Sequence, residues 1–276
     1  MRQLSLLLFA LLALTACQQQ AKGDGSDDEL EYECYGYSSP DSSMIVISLE
    51  APTEYGTTLA DSLKSYFGAM LGSDFLTALE ENDDDTEAAV KAFGKSQYEE
   101  MKNSIEELRA QSESEGDELP EYALAWENQV AIHKEAETDR FVTYLFEKYE
   151  YMGGAHGLNT CYGTTFDKET GKNIDLSILK DTATVAFQTM FKEKLHKYFT
   201  NDEDDPLDDY LLYQSAQENI QLSNMYLTED TVVFIYQPYE ISFYAAGMPT
   251  VELSFEEIKP YLTKRGLKLF KDEDGE

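Results

Sequence analysis

The apolar and polar positions alternate in two different periods along the chain, and the change of period marks the elements. Residues 31–37 alternate acidic and aromatic side chains and residues 44–50 form a β-branched apolar run, so two strands are expected, joined by turn material at Pro40 and Asp41. From Thr57 the period lengthens: Leu59, Leu63, Tyr66, Phe67, Met70 and Leu71 share one helical face that stops at Gly72. A short helical turn carries Phe75, Leu76 and Leu79. A longer helix from Thr86 carries Val90, Phe93, Gln97, Met101, Ile105 and Leu108, and is expected to end in the polar composition of residues 111–117.

Period two returns with Tyr122, Leu124, Trp126, Val130 and Ile132, the clearest strand pattern in the chain. Residues 140–151 read as its partner, apolar on both faces in the first half and therefore central and covered by a helix. Residues 159–166 form a further strand. A helix from Thr182 is expected to turn Val185, Phe187, Phe191, Leu195, Tyr198 and Phe199 inward; residues 207–219 leave room for a short helix. A hairpin over 222–227 and 231–236, a strand over 250–254 and a helix over 255–262 close the pattern. Strands, then helices, then strands joined by tight turns predict an α+β fold, an antiparallel sheet packed against helices. We expect an N-terminal α+β part over 31–117 and a C-terminal α+β domain over 118–276.

The first residues change the picture. Residues 1–16 have a positive start at Arg2 and an apolar core too short to span a bilayer permanently, as a secretory signal does. Leu14, Thr15, Ala16 and Cys17 resemble a lipoprotein signal, which implies cleavage before Cys17 and acylation of its sulfur, with palmitate-type chains as the anchor. Gln18 in place of an aspartate points to an outer membrane, facing the periplasm or the cell surface. Residues 17–30 are acidic and flexible, a tether. With Cys17 acylated, Cys34 and Cys161 remain as an even pair in an oxidising compartment and are expected to be bridged.

The chain of 276 residues carries a formal net charge of −33, and loss of the leader makes the mature protein one unit more negative. Such a surface repels nucleic acid and anionic lipid and attracts cations over long range, although solubility alone would also account for it. Candidate chemistry is sparse. His156 stands in the glycine-dense stretch 151–157 with no positioned nucleophile, metal ligand or second carboxylate at fixed spacing, and reads as a structural residue; His133 and His196 read as surface residues. Acidic runs at 82–85 and 201–205 lack the glycine and spaced glutamate of a calcium loop and read as solvated helix ends. No cofactor or metal site is expected. Residues 237–247, with Tyr239, Phe243 and Tyr244, leave two readings open: an exposed recognition loop or an aromatic cap on the core.

Tyr151, Gly153, Gly154, Ala155 and His156, then Asp167, Thr170, Gly171 and Lys172, then Tyr236 to Ile241 and Tyr244 to Gly247 form an ordered set of motifs. Over roughly 140–262 this set resembles the C-terminal domain of RsiV-like extracytoplasmic proteins, a family that includes a lysozyme-sensing anti-sigma factor and the accessory region of PdaC-type peptidoglycan deacetylases. The resemblance implies a lipid-anchored binding module at the envelope rather than an enzyme, with a cationic cell-wall-directed protein such as lysozyme as its partner. Gly153, Gly154, His156, Tyr239, Glu240, Phe243 and Tyr244 are the expected contact residues. A cell-wall glycan-binding or glycan-processing protein using His156 and Glu240, and a purely structural envelope lipoprotein, are the alternatives.

Overall fold

The computed structural model describes residues 30–41, 44–213 and 215–270; the leader, most of the tether and Cys17 lie outside them. The chain forms two compact units. One takes the described residues up to 133 together with 146–159; the other takes 134–145 and 160 onward. The division falls elsewhere than at the expected 117/118 boundary.

The first unit opens with β1 (Tyr32–Ser38) and β2 (Ile45–Pro52), an antiparallel pair whose turn is closed by Ser39, which donates its N–H to Ile45 O and accepts the Ile45 N–H on its hydroxyl. Three helices follow: α1 (Thr58–Leu71), α2 (Ser73–Glu81) and α3 (Thr86–Glu115). Thr57 and Asp85 cap α1 and α3 by accepting the N–H groups of Ala60 and Ala88, satisfying donors that a helix start leaves bare. Helix α3 runs to Glu115, through most of the loop expected at 111–117. Polar composition does not stop a helix; Gly116, at φ +80 with its N–H bonded back into the last turn, does.

A turn of 3₁₀ helix (Glu121–Leu124) after Pro120 occupies the beginning of the expected strand, and β3 runs over Glu127–Glu137. Its pairing with β2 is parallel, Ile45 opposite Asn128 and Ile47 opposite Val130, against the antiparallel expectation. The reason is the connection: a parallel neighbour needs a long crossover, and α1 to α3 provide one. In this unit the strand order is β1-β2-β3-β4, with β4 at Phe141–Tyr151. Ile45, Ile47, Leu49 and Ile132 of the strands and Leu63, Phe67, Phe75, Val90 and Phe93 of the helices are buried.

In the second unit the order is β3-β4-β5-β6, with β5 at Leu158–Asp167 and β6 at Asn173–Ile174. Phe141 to Phe146 are all buried, as expected of a covered central strand. Helix α4 (Val185–Phe199) places Phe187, Phe191 and Leu195 in the core, where Phe191 meets Phe234 edge-on at 5.3 Å. Two residues expected inward are not: Val185 is 83 % exposed because the helix starts there, after the N-cap Thr184, and Tyr198 is 39 % exposed. A second, antiparallel sheet is formed by β7 (Met225–Leu227), β8 (Thr231–Ile235) and β9 (Thr250–Ser254). Short helices α5 (Phe255–Ile258) and α6 (Lys264–Leu269) are the last elements among the described residues; the pattern had not predicted α6.

Side chains join the two sheets of this unit. The Thr143 hydroxyl donates to Leu227 O at 2.7 Å and meets the Thr165 hydroxyl at 2.8 Å, and Thr165 Oγ1 accepts the Leu227 N–H. Asn224 donates to Cys161 O and accepts from Gly163 N, which gives β5 the partners that a neighbouring strand would have given. Gly163 is glycine because a Cβ there would stand 2.2 Å from the ring of Tyr226.

Candidate functional site

The glycine-dense stretch forms the connection from β4 to β5. Gly153 has φ +79, and a Cβ on it would lie 2.9 Å from the carbonyl oxygen of Ala123, so the position demands glycine twice over. That same carbonyl accepts the indole N–H of Trp126 at 2.9 Å, which fixes the surface on which Gly153 rests. The Tyr151 hydroxyl donates to Gly154 O, and His156 donates from Nδ1 to the adjacent Gly157 carbonyl at 2.9 Å. His156 is exposed and held by backbone. Tyr122 and Met152, neighbours of the contacting Ala123 and Gly153, leave apolar surface exposed there.

The aromatic loop is anchored from within and exposed at its tips, so both readings of it hold in part. Ile241 and Ser242 are buried; Ser242 donates to Tyr210 O at 2.6 Å, Ile241 O accepts from Leu212 N, and the Tyr198 hydroxyl donates to Ala246 O. Gln237 clamps the loop base to β5, accepting the Cys161 N–H and donating to Cys161 O, while Glu240 accepts the Gln237 N–H. Tyr236 beneath it is fully buried, and burial, reinforced by the charge of Glu240, pushes its phenol well above the ordinary range. Tyr239, in contrast, is 47 % exposed at φ +68, its ring 5.7 Å from that of Tyr244, and Phe243 is 41 % exposed. Through the Leu212 and Tyr210 hydrogen bonds this loop adjoins exposed Tyr213 and the acidic Asp208 and Asp209.

The expected contact residues therefore form two groups. Gly153, Gly154 and His156 lie in the first unit; Tyr239, Glu240, Phe243 and Tyr244 lie in the second. Sequence reasoning missed Gln237, Asn224 and Tyr213. An amide flanking a proline was the available signal for Gln237, whereas the exposure of Tyr213 follows only from what fails to cover it.

Residues 70–159 match the family model described as deacetylase PdaC, and residues 177–256 match the one described as a protein of unknown function (DUF3298). The two matches fall in succession along the chain, PdaC-like first and DUF3298-like second. The corner lies within the residues that match PdaC, and the aromatic loop within those that match DUF3298. A crystal structure of a DUF3298-family protein from Bacteroides fragilis has a TM-score of 0.68 at 21 % identity, covering 86 % of this chain and 95 % of that one. One from Pseudomonas aeruginosa has a TM-score of 0.52 at 16 % identity, covering 90 % and 100 %. Both share the fold. No curated protein matches the chain. The PdaC-like match suggests an extracytoplasmic location, and no helix among the described residues is long and apolar enough to cross a membrane.

The expected Cys34–Cys161 bridge is not formed. Cys161 is a buried thiol of the second unit, packed with Leu145, Tyr226, Val233 and Ile235, so its sulfur faces apolar side chains. Cys34 is disulfide-bonded, but not to Cys161. Among the described residues no three His, Cys, Asp or Glu side chains are placed to hold a metal ion. His196 is tied to Asp205 O at 2.7 Å, and His133 lies 3.8 Å from Glu147.

Proposed function

We propose that this protein is a lipid-anchored envelope binding module whose DUF3298 domain captures a cationic cell-wall-directed protein, lysozyme being the type that the RsiV-like resemblance suggests. The observation that supports this reading is the aromatic loop: Tyr239 and Phe243 stand exposed on a backbone held by Gln237, Ser242 and Tyr198, so their rings are presented without the entropy cost of ordering a loose loop. Tyrosine and phenylalanine offer apolar contact, and Asp208, Asp209 and the net charge of −33 offer attraction to a basic partner. In this reading Cys17 carries the lipid and an outer membrane holds the anchor.

The test is binding of the mature domain to hen lysozyme at low and at high salt. Binding is expected at low salt, weakened by salt through loss of steering, and weakened by about 2 kcal/mol when Tyr239 and Phe243 are both changed to serine. No binding at low salt removes the proposal, and salt-insensitive binding to muropeptides would favour the glycan reading instead.

A further inference from the structure

The cavity of about 250 Å³ in the DUF3298 domain, lined by Leu176, Gln188, Ile220 and Leu222 among others, makes no demand for a ligand. Its buried amide is satisfied by the protein, Gln188 donating to Thr182 O and accepting the Ile220 N–H at 2.8 Å. A smaller cavity of about 120 Å³ in the first unit is different. Its floor is the sheet face carrying Ile45, Ile47 and Val130, and its cover is Met70 and Leu71 at the end of α1 with Phe93 of α3.

Asn128 stands on this floor, two residues before Val130 on the same face of β3 and opposite Ile45. The alternation that buries Ile132 and lines Val130 against the helices reserves that position for an apolar side chain. An amide takes it instead. Its Oδ1 is buried and no protein donor reaches it, whereas nearly all buried polar atoms in proteins have a partner. Its backbone N–H is engaged by Met44 O, so the strand itself is satisfied and the defect is confined to the side chain. The space is far more than the 10–15 Å³ or so that one water occupies by this measure. Lys148 and Gln97 also line it; Lys148 gives one donor to Glu150 and Gln97 one to Glu100, and each has a further N–H to offer.

We propose that this cavity binds a secondary amide. Its N–H meets Asn128 Oδ1, its carbonyl oxygen meets the donors of Lys148 and Gln97, and its short alkyl substituents pack on Ile45, Phe93 and Phe146. A ligand of this class supplies the missing donor while leaving the apolar walls dry. The inference stands on the first unit alone and is independent of the cationic-protein reading.

The experiment compares N-methylacetamide with N,N-dimethylacetamide, which has the same apolar bulk and no N–H, by ¹H–¹⁵N spectra of the mature chain. Saturable shifts at Val130 and Phe146 are expected with the first, and about tenfold weaker binding with the second. Asn128→Leu is expected to abolish the difference while raising the melting temperature, since it removes the unmet carbonyl. N-acetylglucosamine set against acetyl-alanine N-methylamide tells a sugar-borne amide from a peptide-borne one. Equal shifts from the two small amides, or none from either, would show a cavity filled by water alone and overturn the proposal; this comparison uses the native chain and does not depend on the variant folding.

Discussion

At Gly153 a single hydrogen in place of a side chain decides whether the PdaC-like corner can form. The φ of +79 and the Ala123 carbonyl 2.9 Å from the would-be Cβ act on the same residue. Gly153→Ala is therefore expected to lose about 1–3 kcal/mol in urea denaturation, and Gly154→Ala, at φ +112 but with open space around its Cβ, is expected to lose the backbone strain alone, without a steric clash. Glycine density was legible in the sequence; which glycine bears the contact was not, because Ala123 is thirty residues earlier. The cysteines show the same limit. Counting them gave an even pair, but a sulfur's partner is set by geometry, and Cys161 points among Leu145, Val233 and Ile235. Cys34 is disulfide-bonded and Cys161 is a buried thiol, so alkylation of the unreduced protein is expected to label Cys161 only after denaturation and Cys34 not at all, which mass spectrometry measures directly; labelling of Cys34 without reduction would contradict it.

Elements were more legible than their ends and partners. Helix α4 was readable because Phe187, Phe191 and Leu195 recur at helical spacing, and all three are buried. Its start was misjudged by three residues, which is enough to turn Val185 outward. The parallel pairing of β2 with β3 was not legible, since a strand's own alternation is the same whichever direction its neighbour runs. At α5 the local code is complete. Ser254 and Glu257 cap each other's backbone, and Glu257 also receives Lys194 from α4 at 2.7 Å. The hydrogen bond from Lys194 and then the Ser254 backbone N–H lower its carboxyl from an ordinary 4.5 to about 2. A lowered folded-state value means a stabilisation that is present above pH 4.5 and lost as pH falls through about 2. Glu257→Gln is expected to flatten the stability profile in that window, by a modest amount because both side chains are about a third exposed. Parallel acid-unfolding curves of the two proteins would show it, and identical slopes would refute it.

At the scale of the whole molecule the charge of −33 acts through distance rather than contact. It belongs to the composition and was readable at once, as was the α+β class, because each depends on residue types and near-neighbour spacing alone. The sequence by itself also determined the apolar faces of α1 to α4, for local periodicity states which residues share a face. What it could not state is what covers that face. Tyr239 and Tyr236 are three residues apart and equally aromatic, yet one is exposed and the other buried, because the loop turns at φ +68 and Gln237 pins its base to β5. Asn128 reads as a break in an alternating row and becomes a buried unmet acceptor only when α1 and α3 close over the sheet. Tertiary structure decided both, since burial is a property of the pair of surfaces that meet and a one-dimensional pattern records only one of them.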